Sequence, residues 1–207
     1  SDLLAYDELL MMQLGVHLKR AHLRQTLKAP ALRWSEAIDR HIRERIPFAL
    51  TAAQDAVVQD LLRDLSSPTP TNRLIQGDVG SGKTVVALYA MLMAVASGLQ
   101  AAIMAPTEIL AEQHYSSISR MLEGSKVRVK LLTGATAPAE RETLIEDVAA
   151  GGVDILVGTH SLITETVKFA SLAVAVIDEQ HRFGVFQRAA LRSKGGGGVD
   201  GGGEDNI

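Results

Sequence analysis

The 207-residue chain contains no cysteine. That absence excludes a disulfide-stapled scaffold and any site built on cysteine-bound zinc, and it fits a reducing compartment. Aromatic residues are scarce, 4% of the chain, against 46% hydrophobic residues in all. The core must therefore be aliphatic. A long apolar run is also missing. The longest, "VVALYAMLMAVA" from Val85 to Ala96, is shorter than the about 20 residues that a bilayer span requires. It reads as a buried helix, and no membrane partner is expected. The beginning, "SDLLAYDELL", lacks the basic region and cleavage site of a secretory signal, so a cytoplasmic location is expected. Charge of one sign is lacking too. The net charge is −3, which is not that of a polycation drawn to nucleic acid by bulk charge. The charge is uneven, however. Residues 15–45 carry eight Lys and Arg against three acids, either a contact surface or a solvated helix face.

What is present is an alternation. Leucines at 3, 4, 9, 10, 14, 18 and 23 recur at helical spacing and predict a helix over residues 3–28. A second helical segment spans 32–46 with a start signal at Ser35, and Pro47 ends it. Thr51 is the expected N-cap of a third, and "SSPTPTN" (66–72) is a loop by composition. From Arg73 strands and helices alternate. "RLIQ", "QAAIMAP", "VRVKLLTG", "DILVGT" and "LAVAVIDE" read as strands, with helices over 83–96, 107–122 and "PAERETLIEDVAAG", and a short one at "SLITE". Such alternation predicts an α/β fold with a parallel sheet covered by helices on both faces. Function in such sheets gathers at the carboxyl ends of the strands. The tail "GGGGVDGGGEDNI" holds seven of the eighteen glycines and reads as a flexible linker.

The chemistry sits in two places. "GDVGSGKT" (77–84) fits the P-loop pattern and lies between a predicted strand and a predicted helix. Gly77, Asp78, Val79, Gly80, Ser81 and Gly82 supply a backbone that curls its N–H groups onto phosphate oxygens, and the helix N-terminus adds a favourable dipole. Lys83 reaches the β- and γ-phosphates, and Thr84 offers a hydroxyl to Mg²⁺. The second place is the end of "LAVAVIDE". Two adjacent carboxylates closing a buried strand are costly unless something partners them. A P-loop places nucleotide and metal at that same sheet edge. Asp178 is then the Mg²⁺ ligand, through water, and Glu179 the base that takes a proton from the attacking water. The expected cofactors are ATP and Mg²⁺.

"GDVGSGKT", "APTEILAEQH", "LLTG", "GTHSLI" and "DEQHRFG" occur in the order and register of superfamily-two helicase motors. The combination resembles the bacterial branched-DNA helicases of the RecG type, from about Leu3 to Lys194. Transcription-repair coupling translocases share part of the pattern, but the Gln180-His181 pair is more similar to the RecG type. The resemblance implies a RecA-like motor lobe over 47–194, preceded by a helical linker at 1–46 and followed by a Gly-rich tail at 195–207. It implies that Gln54, in "PFALTAAQ", reads adenine, with Phe48 near the base. It implies DNA contacts around Thr107, Thr159 and His160, although capping by the two threonines is an equal alternative. Gln180 and His181 would couple ATP to the second motor lobe and to DNA; a capped strand end is the alternative for His181. The family pattern has a polar residue where this chain has Phe186. The implied partners are branched or forked DNA, gripped by its single-strand backbone, and a second motor lobe and wedge domain of one longer chain. The implied activity is that of an ATP-dependent DNA helicase, weak in this lobe alone. A GTPase is the less fitting reading, since no Asn-Lys-x-Asp motif occurs. A module that binds nucleotide without turnover stays open.

Overall fold

A computed structural model describes residues 31–68, 72–76, 82–159, 162, 166–179 and 182–187. The predicted helix over 3–28 and the Gly-rich tail lie outside these residues.

The first elements form where the local signals place them. Helix α1 (Glu36–Arg45) starts at Ser35, whose hydroxyl accepts the Ile38 N–H, and it carries acids in its first turn and arginines in its last. Helix α2 (Ala52–Leu65) opens with a capping box between Thr51 and Gln54. Its buried residues, Val58, Leu61, Leu62 and Leu65, recur at helical spacing on one face. Strand β1 (Asn72–Gln76) leads to helix α3 (Lys83–Ala96). Every residue of α3 from Val85 to Ala94 is buried, which is why its apolar run has no polar stripe. There follow β2 (Gln100–Met104), α4 (Glu108–Met121), β3 (Val129–Leu132), α5 (Pro138–Ala149), β4 (Ile155–Gly158), β5 (Leu172–Glu179) and β6 (Arg182–Gln187).

The six strands form one sheet in the order β1-β6-β5-β2-β4-β3. Successive residues of a strand point to opposite faces, and two core clusters result. Ala101, Ile103, Ile155 and Val157 join the cluster with α1 to α4. Ala102, Leu132 and Leu156 join the one with Leu144 and Val148 of α5. Helices therefore cover both faces, as expected for a RecA-like lobe.

The sheet is mixed rather than wholly parallel. β5, β2, β4 and β3 pair in parallel, but β6 runs antiparallel to both β1 and β5. The segment "RFGVFQ", which is not among the strands read from the sequence, is a strand because Phe183 and Val185 are both buried at period two. Only two residues separate β5 from β6, and so short a connection allows only antiparallel pairing. Phe186 lays its ring across Gly184. A Cβ on Gly184 would come within 2.7 Å of that ring.

Helix α1 is bound to the body of the lobe. The Tyr89 hydroxyl, on α3, donates to Asp39, and Arg43 bridges Asp39 at 2.9 Å and Asp55 of α2 at 2.6 Å. Burial, followed by the bond to Asp39, pushes the Tyr89 phenol well above its ordinary range. The phenol is therefore neutral and serves as a donor.

Candidate active site

Strand register brings the distant motifs to one edge. Met104 pairs with Gly158 on one side and with Ile177 on the other, and Gly158 pairs with Leu132. The next residues along these four parallel strands, Ala105, Thr159, Asp178 and Thr133, therefore leave the sheet in one row. On the other flank Gln76 is opposite Arg182, which is opposite Glu179. The chain entering the P-loop at Gly77 thus departs from the same edge as the two carboxylates. Gly77, Asp78, Val79, Gly80, Ser81, His160, Gln180 and His181 lie outside the described residues.

The described end of the P-loop is built for close backbone approach. Gly82 has φ +75°, in the left-handed region, and is the N-cap of α3 with no side-chain cap. A Cβ there would come within 2.0 Å of the Gln54 amide nitrogen. Gln54 is held in place by the capping box. The Thr51 N–H donates to Gln54 Oε1 at 2.9 Å, and Gln54's own N–H donates to Thr51 Oγ1 at 3.2 Å. The amide's oxygen end is thereby pinned to Thr51, with its NH₂ end over the start of α3. Upstream lies an open cleft of about 460 Å³ lined by Arg43, Ile46, Pro47, Phe48, Ala49 and Leu50. Phe48 is half exposed there, at 51%.

The two acids at the end of β5 differ. Asp178 is buried, at 7% exposure, while Glu179 is half-buried. Their side chains alternate in direction along the strand. Asp178 Oδ2 lies 2.7 Å from Nε2 of His114, which is itself 9% exposed. The sequence reading assigned no role to His114. The signal was its position three residues after Ala111 and four before Ile118, both buried on the inner face of α4.

Thr107 is exposed and caps α4, its hydroxyl accepting the Leu110 N–H at 3.2 Å. The first turn also presents Ile109, 69% exposed. Glu108 reaches toward Gly134, where a Cβ would lie 2.7 Å from its carboxylate. The "PTE" and "TG" motifs therefore meet. Thr159 is 4% exposed and its carbonyl accepts the Leu162 N–H at 3.0 Å. Gly158 is tightly packed, since a Cβ there would be 2.4 Å from the Leu132 carbonyl oxygen.

Among the described residues no group of three or more His, Asp or Glu could hold a metal by itself. Of the residues expected to hold a metal, Thr84 offers one hydroxyl and Asp178 one buried carboxylate. Hard oxygen donors too few to form a cage fit Mg²⁺, which keeps waters and takes its other oxygens from phosphates.

The description of a DEAD/DEAH box helicase matches residues 51–194, and the chain belongs to that family. Within it, the chain is similar to the ATP-dependent DNA helicase RecG of Aquifex aeolicus (strain VF5), with 48% identity over 192 residues, 93% of this chain and 24% of the relative. The Arabidopsis thaliana homologue RECG1, chloroplastic/mitochondrial, is 40% identical over 196 residues. The solved structure of RecG bound to a three-way DNA junction superposes with a TM-score of 0.72 at 40% identity, covering 85% of this chain and 24% of that one. The resemblance drawn from the quoted motifs is thus borne out. The chain spans about a quarter of the length of the first of these relatives and of the solved structure.

Proposed function

We propose that this chain is the ATP-binding motor lobe of a DNA helicase or translocase. In the longer protein it would couple ATP hydrolysis to remodelling of branched DNA, such as stalled forks and Holliday junctions, in repair and recombination. The observation that carries this reading is the single sheet edge at which the P-loop strand, Asp178-Glu179 and the turns after β2 and β4 all end.

At that edge the N–H groups from Gly77 to Gly82 and the start of α3 cradle the phosphates, and Lys83 neutralises them. Thr84 and Asp178 hold the metal. When bound, Mg²⁺ neutralises charge on the transferred phosphoryl group. Glu179 accepts the proton of the attacking water; its greater exposure beside buried Asp178 suits a base that must meet solvent. The Gln54 amide reads the adenine edge, its pinned oxygen retaining a second lone pair, and Phe48 covers the base from the cleft. The N–H groups at the starts that follow Thr107 and Thr159 grip DNA phosphates, Thr159 through backbone because its side chain is buried. His160 joins these contacts, and Gln180 and His181 couple the site to DNA and to a second motor lobe. A wedge domain of the same longer chain selects the fork, and the protein works in the cytoplasm. Residues 1–46 act as the linker to that wedge, 47–194 as the motor lobe, and 195–207 as a flexible tail.

Calorimetric titration with ATP and GTP tests the reading. ATP with Mg²⁺ is expected to bind in preference to GTP. Lys83→Ala should weaken ATP at least about tenfold, the size of one charge-assisted contact. Equal ATP affinity in parent and variant would reject the P-loop assignment.

A further inference from the structure

His114 is a polar residue where α4 would otherwise be apolar. It lies between Ala111 and Ile118 on the buried face of the helix. A carboxylate only accepts hydrogen bonds, so the proton of the 2.7 Å contact belongs to His114 Nε2, which donates to Asp178 Oδ2. The ring is steadied on a second side by Phe183 of β6, edge to face, with centroids 5.9 Å apart and planes at 78°. Three elements, α4, β5 and β6, therefore converge on one imidazole.

We propose that His114 is a positioning residue for the metal site, holding the Asp178 carboxylate so that its second oxygen faces the Mg²⁺ shell. The proposal rests on the ATP-site reading above. A buried carboxylate can rotate about its Cβ–Cγ bond unless something fixes it. A hydrogen bond to one oxygen fixes the plane and therefore the direction of the other. Groups that orient a metal ligand in this way typically change metal affinity about 10- to 100-fold when removed. His114 touches neither metal nor nucleotide in this scheme.

The test uses nucleotide binding rather than turnover. ATP affinity is measured by calorimetry in Mg²⁺ and again in EDTA, for the parent and three variants. His114→Gln keeps an N–H donor at nearly the reach of Nε2 and should stay within about threefold of the parent in both conditions. His114→Leu fills the space without a donor. His114→Asn stays polar but ends too short, so it remains informative if the leucine variant fails to fold. Either should lose about tenfold in Mg²⁺ and less than about twofold in EDTA. A loss of equal size with and without metal would overturn the proposal, since that is what a merely structural histidine produces. Unchanged Mg²⁺-dependent binding in His114→Asn would overturn it too. Failure of the parent to bind ATP at all would instead reject the ATP-site reading.

Discussion

The two ends of the sheet are built from similar polar residues and use them differently. At the amino ends of the parallel strands Gln100 and Asp154 are satisfied within the chain, by backbone groups and by one guanidinium. Gln100, 4% exposed, donates to the carbonyls of Val148 and Val153 at 3.0 and 2.9 Å and accepts the Ser171 N–H at 2.9 Å. Asp154 accepts the Arg128 backbone N–H at 2.7 Å and its guanidinium at 2.8 and 3.0 Å. At the carboxyl ends Asp178 is buried and Glu179 half-buried where β5 ends, level with the end of β1. There, among the described residues, a buried acid is oriented by one histidine rather than enclosed by backbone donors. Polar residues closing a fold and polar residues serving a site differ in what satisfies them. The first kind is held by backbone groups and a guanidinium, whereas Asp178 is held by one side chain, His114, among the described residues.

If that comparison is right, substitutions at the two ends separate stability from turnover. The largest effect is expected at the carboxyl end. In the full-length protein Glu179→Gln should cut ATP turnover about 10²- to 10⁴-fold, because the amide cannot accept the water's proton. ATP affinity and the urea midpoint should stay near the parent's. Steady-state hydrolysis beside calorimetry and denaturation reads all three, and turnover at the parental rate would remove Glu179 from the base role. At the amino end Gln100→Leu should do the opposite. Two carbonyls and one N–H lose their partner in a buried place, a cost of about 2 kcal/mol in unfolding free energy. ATP affinity well below the melting temperature should not change. A Gln100→Leu protein as stable as the parent would show that this end tolerates unsatisfied backbone.

The smallest effect concerns acid. Burial raises the pKa of Asp154, but the Arg128 guanidinium and backbone N–H outweigh it and hold the carboxyl below its ordinary value. A depressed folded-state pKa means that the unfolded chain binds the proton more readily. This contribution to stability is therefore present above the ordinary carboxylate value of about 3.9 and is lost as pH falls below it. Melting curves between pH 5 and pH 3 should fall more steeply for the parent than for Asp154→Asn. Parallel curves would show that the pair adds nothing that titrates.

Much of this was legible before any coordinates. The N-caps at Ser35 and Thr51, the buried run of α3 and the four apolar parallel strands follow from local pattern, because short-range sterics and burial set them. The P-loop string and the Asp178-Glu179 pair stand out in the sequence for a related reason. Phosphate and metal chemistry demands particular residue types at fixed spacing, and those strings rarely serve another purpose. Strand β6 was not legible in the same way. Its alternation covers only Phe183 and Val185, and it follows the end of β5 after only two residues.

The sequence by itself determined which residue types can carry chemistry and where the helices and strands other than β6 form, since both depend on neighbours within a few positions. Only the tertiary structure decided which of them meet. The shared edge of Ala105, Thr133, Thr159 and Asp178 depends on strand register, and the bond between His114 and Asp178 spans 64 positions. Neither leaves a periodic trace along the chain, because both arise from how separate elements pack and not from how any one of them forms.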